Sequence, residues 1–251
     1  MKRPGPSPLQ SRKEPPLKVT VVADTMTRDF HMETLTGFES DAANPADHLA
    51  EFAGRECYKS HHKPNPKTAT NAAYLANILD HGHTSVLEHA TVTFYVQHVS
   101  RALLLELERH RFLSFSVESQ RYVDMEKAHP DPVVPPLFRE IEDEDTRRDL
   151  NNLLYDHYDA SLSQYAYVFN RLRDEDVPLK KAREAARAFL PNCTPVDFVV
   201  TGNIRAWRDV LGKRYHLAAD AEIREFASLI LAELRDIAPN AVQDIPETPY
   251  A

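Results

Sequence analysis

Apolar positions recur along this chain with two periods. Leu17–Ala23 (LKVTVVA) is a short β-branched run and predicts a first strand. His31–Asn44 has no clear period and reads as a polar loop. Pro45–Tyr58 carries Leu49, Phe52, Ala53 and Cys57 at helical spacing. Thr70–Leu79 does the same with Ala73, Leu75, Ile78 and Leu79, and Gly82 stands where a helix would end. Ala90–Val99 alternates, with Val92, Phe94 and Val96 on one face, and predicts a strand. Ser100 is positioned to cap a short helix, Arg101–Arg109. Ser119–Val123 reads as a returning strand, and Asp124–Pro136, with four prolines, as loop.

The longest helical pattern is Asp145–Leu172, with a stripe of Leu150, Leu154, Tyr158, Leu162, Tyr165, Phe169 and Leu172. A second helix, Leu179–Leu190, is stopped by Pro191. Val196–Thr201 predicts a strand leading through Gly202 into a short helix, Asn203–Leu211. The last helix, Ala218–Ile237, turns Ile223, Phe226, Ile230, Leu234 and Ile237 inward. Strands and helices do not alternate regularly, which predicts an α+β fold: a mixed or antiparallel sheet core flanked by long helices. Residues 1–16 are expected to form a disordered arm, 17–237 one folded domain, and the proline-bearing 238–251 an extended tail.

Composition narrows the function classes. With 42% hydrophobic residues in 251 the chain has material for a sizeable core. No apolar run nears the roughly 20 residues of a membrane span, and the first residues are proline-rich and basic, so the reading is soluble and cytoplasmic. Two cysteines, Cys57 and Cys193, stand far apart and read as small buried hydrophobes. The formal net charge of -8 opposes nucleic-acid binding, so an anionic ligand must be held by local Arg, Lys and backbone N–H groups. There is no Gly-rich dinucleotide or phosphate loop, and only six glycines.

The densest polar constellation starts at Glu106 and runs through Arg109-His110-Arg111 to Ser119-Gln120-Arg121-Tyr122. One reading is a solvated helix end with cations near its C-terminus. The apolar Phe112, Leu113, Phe115 and Val117 between the charges favour a lined pocket instead. His81, His83 and His89 invite a metal site, but no His-Glu-x-x-His or cysteine pair supports one, and the reading is no metal.

Arg-His-Arg, seven residues and then Ser, followed by Gln-Arg-Tyr, resembles the signature of flavin-dependent thymidylate synthases. His83-Thr-Ser-Val-Leu-Glu88-His89 resembles that family's His-x-Ser/Thr-x-x-Glu-His element. Asn203-Ile-Arg205, then Arg214 and Glu222, resembles its C-terminal nucleotide-contacting segment. The likeness runs from about Leu17 to Ile237. The chain departs from the pattern with Glu106 where Gln is frequent, Val117 where Glu or Gln is frequent, and Asp209 where some relatives have Asn.

The resemblance implies a methyltransferase that converts dUMP to dTMP. FAD would be reduced by NAD(P)H, methylenetetrahydrofolate would give the carbon, and no cysteine nucleophile would be used. It implies FAD contacts at His83, Ser85, Glu88, Arg109, His110, Arg111, Asn203, Arg205 and Asp209. The dUMP contacts it implies are Glu106, Arg109, Ser119, Gln120, Arg121, Arg187 and Arg214, with Arg214 activating the uracil. It also implies a non-Rossmann flavin site and a homotetramer. Two rival classes are a metal-dependent nucleotide hydrolase built on the histidines and an RNA-binding module built on Arg109–Arg121.

Overall fold

The computed structural model describes residues 15–251, so nearly all of the expected N-terminal arm lies outside the described residues. Numbered in chain order, the elements are β1 (Lys18–Asp24), α1 (Asp29–Thr36), α2 (Pro45–Cys57), α3 (Asn71–Asp80), β2 (Thr91–Ser100), α4 (Arg101–Leu107) and β3 (Ser114–Val117). Then come α5 (Met125–Ala128), α6 (Pro136–Glu140), α7 (Glu144–Asp174), α8 (Leu179–Ala186), β4 (Pro195–Asn203), α9 (Ile204–Arg214) and α10 (Ala221–Ile237). The chain forms two compact units: a smaller one, 15–17 with 120–195, and a larger one, 18–119 with 196–251.

The larger unit is an antiparallel four-stranded sheet with helices, in the order β1-β2-β4-β3, so the fold is α+β. β1 pairs with β2 from Lys18↔Gln97 to Asp24↔Val92, and β3 with β4 from Ser114↔Thr201 to Val117↔Phe198. Side chains link β2 and β4 in opposite sense: the Thr93 and Thr201 hydroxyls meet at 2.9 Å, while Asp197 accepts from Tyr95 Oη at 3.0 Å and from His98 N at 2.9 Å. Alternation puts Val92, Phe94, Val96, Phe198 and Val200 on one buried face. Trp207 of α9 meets Phe94 edge-on at 5.0 Å, and Phe226 and Ile230 of α10 complete this core. Gly202 lets these side chains pack close, because a Cβ would stand 2.5 Å from the Leu113 side chain, which would have to shift, and 3.1 Å from the Trp207 ring.

Capping follows the sequence. Thr70, Ser100 and Asn203 accept from the third backbone N–H beyond them, at 3.3, 3.0 and 2.7 Å. Gly82 takes a left-handed φ of 67° just past α3.

Three expectations are corrected. Within His31–Asn44 the structure has α1, which buries no residue and ends at Gly37 (φ 68°). A helix without a buried stripe leaves no apolar period to read. Ser119–Val123 is a turn, and the strand is β3, five residues earlier. Ser114–Val117 alternates and pairs with β4, whereas Ser119–Val123 begins with three polar residues and turns. The tail 238–251 is not simply extended. Asn240–Val242 form a 3-10 turn, with Ala241 and Val242 buried. The backbone N–H groups of Asn240 and Ala241 go to the Asp47 carboxylate, a partner nearly 200 positions away.

In the smaller unit α7 and α8 pack together, and Tyr165, Met125 and Ala186 form a core with Val168, Phe169 and Leu190. The Tyr158 hydroxyl donates to His129 O at 2.9 Å, fixing the proline-rich segment beside α7.

Candidate functional site

The site in the larger unit starts at the N-terminus of α4. Glu222 of α10, buried, accepts from Ser100 N at 2.7 Å and from Ser100 Oγ at 2.6 Å, which anchors that terminus. α4 ends at Leu107, and the chain tightens so that His110 turns inward while Arg109, Arg111 and Phe112 stay exposed. Burial recurs here at every third residue, Leu107, His110 and Leu113. A basic triplet thus splits into two solvated cations and one buried imidazole.

That imidazole belongs to a row of side chains. Arg214, the last residue of α9, donates from Nε to His110 Nε2 at 3.1 Å. Its Nη1 donates to Glu106 Oε2 at 2.9 Å, and its Nη2 to the Glu106 backbone O at 3.1 Å. His110 Nδ1 lies 3.1 Å from Asp209 Oδ2, and Lys213 Nζ donates to Asp209 Oδ1 at 2.6 Å. A guanidinium has no acceptor, so His110 Nε2 must be the unprotonated nitrogen and Nδ1–H donates to Asp209. Burial pushes the His110 pKa down, and Arg214 and Lys213 add to this, against a smaller upward pull from Asp209. For Asp209, burial alone would raise the pKa, but the hydrogen bonds from Lys213 and His110 outweigh it and hold the carboxyl below its usual range. Arg214 has five N–H groups. Three are engaged among the described residues, which leaves two without a partner there, at a side chain still 22% exposed.

Arg205 pairs with Glu88 and lines two cavities. One, of about 280 Å³, is bounded by Glu88, Phe112, Asn203, Arg205, Ala206 and Asp209. The other, of about 350 Å³, is lined by Cys57, Tyr58, His83, Thr84, Ser85 and Arg205 among others. Asp209 joins the first cavity to the Arg214 row. Asn203 spends its Oδ1 as the α9 cap and keeps its amide N–H groups. Sequence reading treated Phe112 only as an apolar flank; its ring is 80% exposed and walls the cavity. An unburied aromatic beside a charged triplet was the available signal.

Of the remaining residues singled out, Ser119 stands in the larger unit, and Gln120, Arg121 and Arg187 in the smaller. Gln120 is buried, Arg121 lies 3.5 Å from Glu184, and Arg187 opens a 3-10 turn, exposed. Sequence reading passed over Lys180, whose Nζ lies 4.9 Å from the Tyr122 ring centre; its hydrogen bond holds the Tyr122 hydroxyl below the usual phenol range. His81 Nδ1 is engaged with Asn77 O at 2.9 Å, and among the described residues no three His, Cys, Asp or Glu are grouped for a metal. The expectation of buried cysteines fails for Cys57, which is exposed. Its position on the helical stripe placed it at the rim of a cavity. Cys193 is half-buried, and burial pushes its thiol pKa up, away from a reactive thiolate.

The sequence profile of the family described as "Thymidylate synthase complementing protein" matches residues 40–240. A "Probable flavin-dependent thymidylate synthase" of Mycobacterium phage D29 is 50% identical over 237 residues, covering 94% of this chain and 99% of its own. One of the same description from Mycobacterium phage L5 is 54% identical over 209 residues, 82% of this chain and 83% of its own. The "Flavin-dependent thymidylate synthase" of Mycobacterium tuberculosis (strain ATCC 25618 / H37Rv) is 44% identical over 244 residues, 94% and 92% of the two chains. The profile takes in α2 through α10, including Arg205, Arg214 and the Arg-His-Arg turn, and on that extent the chain belongs to the flavin-dependent thymidylate synthase family.

Proposed function

We propose that this protein reductively methylates dUMP to dTMP, with FAD as cofactor, NAD(P)H as its reductant and methylenetetrahydrofolate as one-carbon donor. The observation that carries this reading is Arg214: a guanidinium fixed at three N–H groups with two left over. With no thiolate to attack C6, uracil is activated by drawing charge toward N3 and its carbonyl oxygens. A guanidinium that stays protonated at any working pH stabilises that charge. The Glu106 carboxylate is neutralised by Arg214 through Oε2, and its Oε1 remains to accept the uracil N3–H. Placing the cation beside the carboxylate offsets the repulsion that Glu, in place of Gln, would exert on a developing N3 anion.

The residues present fit FAD. Arg205, Arg109 and Arg111 are exposed cations suited to a diphosphate, the Phe112 face suits a planar ring, and Asn203 and Ser85 offer uncharged donors. His83, Glu88, His110 and Asp209 complete the proposed FAD set. This is a non-Rossmann site, since no glycine-rich loop is available. When bound and reduced, FAD supplies the hydride. For dUMP the proposed contacts are Glu106, Arg109, Ser119 and Arg214 of the larger unit, and Gln120, Arg121 and Arg187 of the smaller. A cytoplasmic homotetramer is the proposed assembly.

The test is the absorbance spectrum of the purified protein with a dTMP-formation assay. The expected result is a flavin chromophore, present or acquired on adding FAD, and dTMP production that needs dUMP, the folate and NAD(P)H. A protein that neither carries nor binds FAD would overturn the reading.

A further inference from the structure

We propose that the segment from Asn240 to Tyr250 is a strap that positions Arg214: it grips α9 at Arg208 and at Tyr215, and so holds the helical turn that carries the guanidinium. This rests on the reading of Arg214 given above and adds Arg208, Tyr215 and Asp244 to it as positioning residues.

The end of a helix frays, because its last carbonyls lack partners within the helix. Arg214 is the last residue of α9, and Gly212 lies in the same turn, where a residue without a side chain weakens the helix. The bonds from the guanidinium to Glu106 and His110 fix the head of the side chain. They do not fix the backbone from which it hangs. The other end of α9 is secured separately. Asn203 caps it, Ile204 N donates to Ala90 O at 3.0 Å, and Trp207 is fully buried.

The strap supplies what the last turn lacks. Arg208, six residues before Arg214, donates from Nη1 to Ala241 O at 2.7 Å and to Asp244 Oδ1 at 2.6 Å. Its Nη2 donates to Asp244 Oδ2 at 2.7 Å. A two-pronged pair of this kind fixes orientation as well as distance. Tyr215 follows Arg214 directly and is buried. Its hydroxyl donates to Glu247 O at 2.6 Å, and its backbone O accepts from Tyr250 N at 3.0 Å. Leu217 N donates to Tyr250 O at 2.8 Å, which closes a parallel bridge between His216 and Tyr250. The strap is itself tied down. Asp47 accepts from Asn240 N and Ala241 N, and Arg235 of α10 donates to Glu247 Oε2 at 2.7 Å and to Ile245 O and Pro246 O at 3.2 and 3.1 Å. α9 is thus pinned on both sides of the turn that bears Arg214, by residues that the proposed FAD and dUMP contacts do not include.

The experiment uses the full-length, FAD-loaded protein. Tyr215→Phe combined with Asp244→Ala removes both grips. It is expected to lower kcat roughly tenfold, since a misplacement of about 1 Å remote from the chemistry can cost up to a hundredfold. FAD content and the dUMP KM should change by about twofold or less, because Asn203 and Arg205 sit at the end of α9 that is anchored without the strap. Amide hydrogen exchange at residues 212–215 should quicken. Adding Gly212→Ala should then restore part of kcat. A Cβ there meets nothing within 4 Å, so the change stiffens the turn and touches neither strap nor site. If the double variant does not fold, Tyr215→Phe alone decides by the same readouts, with kcat lowered roughly threefold for one lost hydrogen bond. Unchanged kcat, unchanged exchange at 212–215, a loss of kcat that follows loss of FAD, or no rescue by Gly212→Ala overturns the proposal. Arg214→Ala separates the two levels. If it turns over normally, the reading of Arg214 itself fails; if it is inactive beside a normal strap variant, only the strap fails.

Discussion

Two rows of charged side chains cross the larger unit, and they differ in what they leave unspent. In the first, Glu51, Arg55, Asp47 and Asn71 are all 0–2% exposed. Glu51 accepts from Arg55 Nε at 2.6 Å, from Asn71 Nδ2 at 2.9 Å and from Ser40 Oγ at 2.5 Å. Arg55 reaches Thr68 O at 2.7 Å and lies 4.3 Å over the Tyr74 ring. Asp47 takes two backbone N–H groups of the tail, and Asn240 Nδ2 donates to Asn71 Oδ1 at 2.8 Å. Each carboxylate oxygen in this row is committed within the chain, so it clamps α2, α3 and the tail and has no capacity for a ligand. The second row, from Glu106 to Lys213, is open to solvent at Glu106, Lys213 and Arg214 and retains two guanidinium N–H groups. Charge and spacing look alike in both. What separates the structural row from the candidate site is residual hydrogen-bonding capacity at a wetted surface.

Breaking the clamp should have the largest effect. Arg55→Met leaves the buried Glu51 charge with Lys63, at 3.8 Å, as its one counter-charge among the described residues, and should cost about 3–5 kcal/mol of stability in chemical denaturation. A loss below about 1 kcal/mol would show that the row is not a clamp. Breaking the open row should do the reverse. Arg214→Ala is expected to keep fold, assembly and FAD but raise the barrier for dUMP methylation by about 3 kcal/mol, with Arg214→Lys rescuing part. Near-normal turnover of the Ala variant would remove Arg214 from the mechanism.

The clamp should also be sensed by pH. Burial pushes the Asp47 pKa from 3.8 to about 6, against the pull of the Asn240 and Ala241 N–H groups. A carboxyl raised on folding binds more protons in the native state. Its contribution is fully present below the unfolded value and is lost as pH rises through the folded value, a window from about 4 to 6. Asp47→Asn should remove this slope, so the stability difference between wild type and variant changes by about 1–3 kcal/mol across the window. Parallel curves would contradict the assignment. The smallest effect is expected at the thiols. Replacing Cys57 and Cys193 together by Ala should leave turnover measurable and cost about 1 kcal/mol or less. Abolished activity in a folded, FAD-loaded double variant would revive a thiolate mechanism.

Much of the fold was legible because it obeys local rules. The apolar faces of β2, α7 and α10 follow their periods, and the caps at Thr70, Ser100 and Asn203 sit where hydroxyl and amide side chains precede apolar runs. α1 was not legible, because a helix that buries nothing writes no period. Nor was the clamp. Asp47, Glu51 and Asn71 are polar residues in helical patterns, and a lone sequence assigns such positions to solvent.

For the site, the sequence by itself marked the residues proposed to carry the chemistry: the Arg-His-Arg turn, Asn203, Arg205 and Arg214 stand at spacings that resemble the family's. It also determined that no glycine-rich loop or cysteine pair is at hand. Only the tertiary structure decided which of those residues meet and which stay exposed. Residues 104 positions apart meet at 3.1 Å in the bond from Arg214 to His110, and the buried middle of a basic triplet separates from its two exposed neighbours. The reason is physical. A side chain's type fixes what it can donate or accept, but which partner consumes that capacity depends on backbone closure over long sequence separation. A chain read one residue at a time does not contain that information.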